Sequence, residues 1–193
     1  MILASASPRR QQLLRTIGLE FDVEAADVDE SDLPGESPTL YVERVGKSKA
    51  LAVAARLGLT PADDVIVLAA DTTVDIDDEI LPKPTDDDDA RRMLTLLSGR
   101  THQVHTSVVA WHRGRLHTAA VTTDVTFAHL SSATIEWYLS LGEHLDKAGA
   151  YGMQTAGGAL VERIDGSPTN VIGLPLVDTI GVLRACGVEI AEA

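Results

Sequence analysis

Four short stretches hold residue types that could do chemistry. In SASPRR, residues 5–10, small hydroxyl residues lead into a proline and two adjacent arginines. Ser7 stands where a helix N-cap belongs and Pro8 at the first helical position. A turn of that kind offers backbone N–H groups and the positive end of a helix dipole to an anion. Arg9 and Arg10 add two forked guanidinium donors suited to phosphate oxygens. A capped helix with two solvated arginines is the plain alternative, though arginine in a first turn opposes the dipole. No acidic residue precedes Glu20, so this corner is positive in a chain of formal net charge -13.

In AADTTV, Asp71 directly follows the apolar run VIVLAA, residues 65–70. A carboxylate at the carboxyl end of a central strand is placed as a general base or a metal ligand, or more simply as the cap of a turn. Lys83 lies between two prolines in LPKP, Lys49 in GKSKA, and Glu30 in the acidic loop DVDESDLPGE. Each of these three also has an ordinary reading as a solvated charge. In DKAGAYGMQTAGG, residues 146–158, four glycines surround Tyr151 and Gln154. That composition suits backbone running close to a ligand, and equally a plain connector. The Gln154 amide can donate and accept at once, as a nucleobase edge requires.

Alternating strand and helix patterns must position these residues. A short strand over 2–4 leads to the helix capped by Ser7 and stopped at Gly18; a strand covers 20–25. Ser37-Pro38 opens a long helix to Leu57, with Gly58 as its stop. VIVLAA is apolar on both faces and short, which predicts a covered strand. VDIDDEIL predicts a hairpin, and Thr85 a cap for the helix through ARRMLTLL, with the DDDD of residues 86–89 solvated in its first turn. HQVHTSVVAWH and HTAAVTTDVTF flank Arg113-Gly114 as long antiparallel strands. A helix over 132–141, the strand ALVERI, a turn at Asp165-Gly166 and a helix over 176–185 complete a mixed α/β pattern. No internal linker stands out, and residues 1–193 read as a single domain.

Composition limits the partners. A chain with 29 Asp and Glu against 16 Lys and Arg, and only 4% aromatic residues, lacks the footprint of a nucleic-acid binder. No apolar run reaches the roughly 20 residues of a membrane span. The arginines follow the opening apolar stretch, which does not fit a signal peptide. One cysteine, Cys186, excludes an intrachain disulfide and suits a reducing, cytoplasmic setting. His102 and His105 are three apart on a predicted strand, so they face opposite sides and cannot share a metal. No P-loop and no GxSxG elbow is present.

Taken in order, LASASPRR, ADTTV, LPKP, LSGRTHQVHTSV, DKAGAYGMQ and NVIGLPL resemble the Maf family of nucleoside triphosphate pyrophosphatases, over nearly the whole chain. The resemblance implies an elongated mixed β-sheet with flanking helices, two lobes around a cleft, similar to the inosine triphosphatase fold, and a homodimer. It implies hydrolysis between the α- and β-phosphates with a divalent cation, Mg2+ or Mn2+. Asp71 falls on the position of the proton acceptor, Arg9 and Arg10 on the phosphate-site pair, Lys49 and Lys83 on its two lysines, and Glu30 on the acidic residue of the active-site loop. Ser7 belongs to the same phosphate turn. The carboxylates Glu30 and Asp71 are the candidate metal ligands. Arg9, Thr72 and Gln154 match a trio that goes with preference for dTTP and UTP. Two positions depart from the pattern. Ala6 stands where glycine is frequent and could crowd the turn, and Gly46 lies inside the helix carrying Lys49, at a cost of about 1 kcal/mol in helix stability. The competing reading is a regulatory nucleotide-binding protein of cell division that uses the same pocket without turnover.

Overall fold

The computed structural model describes residues 1–190. Seven strands form one mixed sheet: β1 (Ile2–Leu3), β2 (Asp22–Val23), β3 (Ile66–Ile76), β4 (Glu79–Leu81), β5 (Thr101–His112), β6 (Arg115–Phe127) and β7 (Val161–Asp165). Six helices flank it: α1 (Pro8–Thr16), α2 (Pro38–Arg56), α3 (Asp87–Leu97), α4 (Ser132–Ser140), α5 (Pro168–Ile172) and α6 (Leu176–Ala185). The strand order is β2-β1-β3-β5-β6-β7, with β1 parallel to both neighbours and β4 antiparallel to β3. β5 runs the length of β3, from Ile66↔His112 to Asp75↔Gln103.

Local signals in the sequence account for most boundaries. Ser7, Ser37 and Ser131 each cap a helix, accepting from Arg10 N, Leu40 N and Thr134 N. The β3–β4 hairpin turns through Asp77 and Asp78 at φ 54° and 65°, the left-handed pair that a tight hairpin demands. The cap of α3 is Asp86, not Thr85. Its carboxylate accepts from Asp89 N at 2.8 Å, a stronger acceptor than a threonine hydroxyl, while Thr85 N donates to Asp89 Oδ2. β2 is shorter than EFDVEA, and β7 starts at Val161 because Ala156–Leu160 wind into 3-10 turns. α5 is one short turn, below the length that hydrophobic periodicity resolves, although Ser167-Pro168 repeats the cap-plus-proline start.

Two layers of helix cover the two faces of the sheet. On one face α2 buries Ala50, Val53 and Ala54 against Val67, Ala69, Val109 and Trp111. On the other, Leu68, Ala70, Val108 and Ala110 pack under Leu13, Leu14, Val182 and Leu183 of α1 and α6. A further core on that face joins Val74, Ile76, Val104 and Phe127 to Met93, Leu94, Leu97 and Tyr138 of α3 and α4. The strip between the two cores on this face is polar, with Thr72, Thr106 and Asn170. His102 and His105 face opposite sides, as their spacing requires: His102 packs on Phe127 and Tyr151, while His105 pairs with Asp75 and approaches Thr39 of α2.

Gly46 explains how α2 comes so close. A Cβ there would stand 2.4 Å from Ser107 Oγ and 3.2 Å from Val109 Cγ2, so only glycine lets the helix settle on β5. Ser107 Oγ in turn donates to the Val42 carbonyl across the same contact. The glycine that weakens the helix is therefore what seats it. Gly46→Ala should lower the thermal midpoint by several degrees, a net cost of about 1–2 kcal/mol once better helix propensity offsets the overpacking. Calorimetric unfolding checks this, and an unchanged or raised midpoint would contradict it.

Candidate active site

The site lies at a gap in the sheet. β1 pairs with β3 at Val67 and Leu68, and β4 pairs with the same edge at Val74 to Ile76. Between them residues 69–73 have no strand neighbour on that side, because β1 ends at Leu3 and the chain turns away into α1. Asp71 therefore stands mid-strand, not at the carboxyl end of β3 as the sequence suggests. It is the end of β1, one strand over, that opens the pocket beside it, and β3 continues to close the hairpin.

A cavity of about 590 Å³ fills this gap, within the size range of small-molecule sites. It straddles the edge of β3, so alternation of the strand gives it two walls. Asp71 and Thr73 point to the α2 side, with Lys49, Tyr41 and Glu30. Thr72 and Val74 point to the other side, with Val104, Val171, Ile172 and the glycine-rich loop. All nine site residues singled out from the sequence line this one cavity: Ser7, Arg9, Arg10, Glu30, Lys49, Asp71, Thr72, Lys83 and Gln154.

On the first wall, buried Lys49 places its ammonium 2.7 Å from Asp71 Oδ1 and 2.7 Å from Glu30 Oε1. Burial raises the Asp71 carboxyl above the ordinary aspartate value, against the pull of Lys49 and Arg10. Burial also opposes ionisation of Glu30, but there the hydrogen bond and charge of Lys49, with Lys83 and Arg10, win and hold the carboxyl below its usual range. One lysine thus serves two carboxylates pushed in opposite directions. Asp71 Oδ2 is buried and has no partner. Tyr41, two turns before Lys49 on α2, donates to the Glu30 carbonyl at 2.8 Å, and Arg44 donates to the Ser31 carbonyl at 2.8 Å. These two fix the acidic loop, and nothing local in the sequence marks Tyr41 for that task.

At the mouth, Arg9 reaches Asp146 at 3.3 Å, joining α1 to the glycine-rich loop. Arg10 is more committed than its sequence neighbour. Its guanidinium donates to the Gly173 carbonyl at 2.8 Å, to Ser5 Oγ at 3.2 Å and to Thr72 Oγ1 at 3.0 Å. Burial lowers its pKa from the free value, but an arginine stays protonated through such shifts. Ser5 is thus a missed member of the site, acting through Arg10. Ser7 Oγ accepts from Arg10 N at the helix cap, which leaves its hydroxyl proton available to donate. Ala6 is exposed and outside the positive-φ set, so its backbone does not require the glycine of related sequences. Lys83 is exposed and makes no hydrogen bond or ion pair to a described residue. Lys147 also lines the cavity, tied to Asp146 at 2.6 Å.

The donors fit a hard divalent cation. Carboxylate oxygens are its preferred ligands, Glu30 and Asp71 converge on one ammonium, and the buried Asp71 Oδ2 lacks a partner. Among the described residues no group of three or more His, Cys, Asp or Glu could hold a metal by itself. Two protein carboxylates complemented by water and phosphate oxygens is the arrangement magnesium commonly takes.

Residues 1–186 match the family described as Maf-like protein. The chain belongs to the Maf family. A protein of Anaeromyxobacter dehalogenans (strain 2CP-1 / ATCC BAA-258) named dTTP/UTP pyrophosphatase is 50% identical over 191 residues, spanning 97% of this chain and 94% of its own. One of Myxococcus xanthus (strain DK1622) with the same name is 47% identical over 190 residues, spanning 98% of this chain and 94% of its own. A solved structure, titled as the Staphylococcus aureus Ham1 protein, aligns with a TM-score of 0.43 and 16% identity, covering 65% of this chain and 71% of that one. Among the described residues no helix of this Maf protein is long and apolar enough to cross a membrane.

The loop bearing Gln154 is anchored by a buried ring. His102 Nε2 lies 2.8 Å from the Tyr151 hydroxyl, and burial pulls the imidazole down to about 4. A ring neutral in the fold but titrating near 6.5 when unfolded stabilises fully above pH 6.5 and less as pH falls toward 4. Roughly 3 kcal/mol of stability should disappear across that window, from the pKa difference alone. His102→Phe should flatten this part of the stability–pH curve in denaturant titrations at pH 7, 5.5 and 4.5. A variant as acid-sensitive as the parent would refute the assignment.

Proposed function

We propose that this Maf protein is a nucleoside triphosphate pyrophosphatase acting on dTTP and UTP, releasing the nucleoside monophosphate and pyrophosphate. The observation that carries this reading is the Lys49 ammonium shared by Asp71 and Glu30 inside a cavity also lined by Arg9, Arg10 and Lys83. The names of relatives alike over nearly their full length support the same activity. The whole chain is read as one catalytic domain, cytoplasmic and homodimeric, with a small anionic substrate and no nucleic-acid partner.

The two carboxylates divide the work because their surroundings push them apart. Asp71, raised by burial, is the proton acceptor. Its Oδ1 is held by Lys49, so Oδ2 takes the proton of the water attacking the α-phosphorus. The bond from the α-phosphorus to the bridging oxygen breaks, and that oxygen leaves with the pyrophosphate. Glu30, held below its usual range, stays anionic and is the better cation ligand, with Asp71 beside it. A bound Mg2+ or Mn2+ would supply charge neutralisation on the phosphate oxygens. Arg9, Arg10 and Lys83 hold further oxygens, with Ser7 at the turn and Lys49 keeping both carboxylates in place. Thr72 and Gln154 sit on the opposite wall, with Val74, Val104 and Val171, where a flat base can lie.

Asp71→Asn should keep the fold and nucleotide affinity while lowering kcat about 10³-fold, since it removes a base and conserves shape. Near-normal turnover would remove Asp71 from this role. Pyrophosphate release from a panel of nucleoside triphosphates, with magnesium, with manganese and with EDTA, tests the reading as a whole. The expected order places dTTP and UTP above dATP and GTP, turnover is lost in EDTA, and Gln154→Ala narrows the preference. Nucleotide binding with no pyrophosphate released from any of them would favour the regulatory binding protein instead.

A further inference from the structure

The strip between the two cores on the Thr72 wall is a chain of hydroxyls whose proton directions can be deduced. Thr106 on β5 is fully buried and donates through Oγ1 to the Asn170 carbonyl on α5 at 3.1 Å. A threonine hydroxyl has a single proton. The 2.9 Å contact between Thr72 Oγ1 and Thr106 Oγ1 must then run with Thr72 as the donor. Arg10 Nη2 donates to Thr72 Oγ1 from the other side at 3.0 Å. The carbonyl at the end of this chain is itself fixed, because fully buried Asn170 donates through Nδ2 to the Val104 carbonyl at 2.8 Å and to Thr123 Oγ1 at 2.9 Å.

The consequence for Thr72 is chemical. Its only proton is consumed by Thr106 and one lone pair by Arg10, so what remains for a ligand is the second lone pair. Thr72 can accept but not donate. It stands among Val74, Val104, Val171 and Ile172, where a base is the part of the substrate that fits an apolar wall. Uracil and thymine carry a proton on N3, whereas N3 of cytosine is an acceptor and would face another acceptor there.

Resting on the pyrophosphatase reading, we propose that Thr106 is a positioning residue for base specificity. With the Asn170 carbonyl it orients the Thr72 hydroxyl, so that the pocket accepts the imide N–H of uracil and thymine and rejects cytosine. The relay acts on the hydrogen-bond polarity of the wall and leaves the Lys49–Asp71 machinery on the opposite wall untouched.

Selectivity, not rate, reads this out. kcat/KM is measured for UTP, CTP and 3-methyl-UTP, in which a methyl group replaces the N3 proton. The unmodified protein should favour UTP over CTP, and over 3-methyl-UTP, by about tenfold or more, the factor that one net hydrogen bond carries. Thr106→Val removes the acceptor for the Thr72 proton and frees it to point at the ligand. The UTP/CTP ratio should then fall about tenfold, and Thr106→Ser, which restores the hydroxyl, should return it. A purely structural role would lower both substrates together and leave the ratio where it was. An unchanged ratio in folded Thr106→Val, or equal use of UTP and 3-methyl-UTP by the unmodified protein, overturns the relay while leaving the pyrophosphatase reading intact. Should the valine variant not fold, the 3-methyl-UTP comparison alone decides. No turnover of any pyrimidine triphosphate would overturn both.

Discussion

The buried ammonium of Lys49 is the interaction on which the site depends. A lysine removed from water is costly unless paired, and this one is paired twice, at 2.7 Å to Asp71 and 2.7 Å to Glu30. The two carboxylates leave the trio with a net negative charge, which the charge of neighbouring Arg10 offsets. Much of the architecture serves to bring these three groups together. Gly46 lets α2 sink onto β5, Tyr41 and Arg44 tie the acidic loop to the same helix, and the long β3 supplies Asp71. Because Lys49 and Asp71 lie on one helix and one strand, and the loop of Glu30 is tied to that helix, the spacing of the three groups is set by packing.

The early end of β1 is the second constraint. A sheet complete along β3 would bury Asp71 and Thr72 against a neighbouring strand. Leaving residues 69–73 uncovered on one edge gives a ligand access to both faces at once. Strand alternation then separates the tasks, with ionisable groups on the α2 face and apolar and hydroxyl groups on the other. Charged and apolar parts of one ligand can thus meet different chemistry from residues adjacent in sequence.

The electrostatics follow the same division. A chain of net charge -13 repels anions at long range, yet Arg9, Arg10, Lys49, Lys83 and Lys147 all line one cavity. Several are restrained by the protein before any ligand arrives: Arg10 by three acceptors, Arg9 and Lys147 by Asp146. Side chains already ordered lose less entropy on binding a triphosphate. Lys83, stiffened only by its flanking prolines, is the one of these cations that stays exposed and unpaired among the described residues.

Much of this protein is written locally. Serine caps followed by proline, the glycine stops and the hairpin at Asp77-Asp78 placed most elements, because caps and turns depend on a few adjacent residues. The motifs SASPRR, ADTTV, LPKP and DKAGAYGMQ were enough to point to the family and to residues that the fold gathers into one cavity. What the chain alone did not reveal depends on contacts between distant segments. The sequence places Asp71 at a strand end, yet it stands mid-strand, because its access to the cavity comes from the end of β1, a different segment. Gly46 reads as a flaw within its own helix, and its purpose shows only against Ser107 on β5. The divergence of Asp71 and Glu30, the commitment of Arg10 to Gly173 and Thr72, and the proton direction at Thr72 each arise where segments distant in the chain meet, up to 163 residues apart. Burial and hydrogen-bond direction are properties of that assembled environment, so only the tertiary structure could decide them.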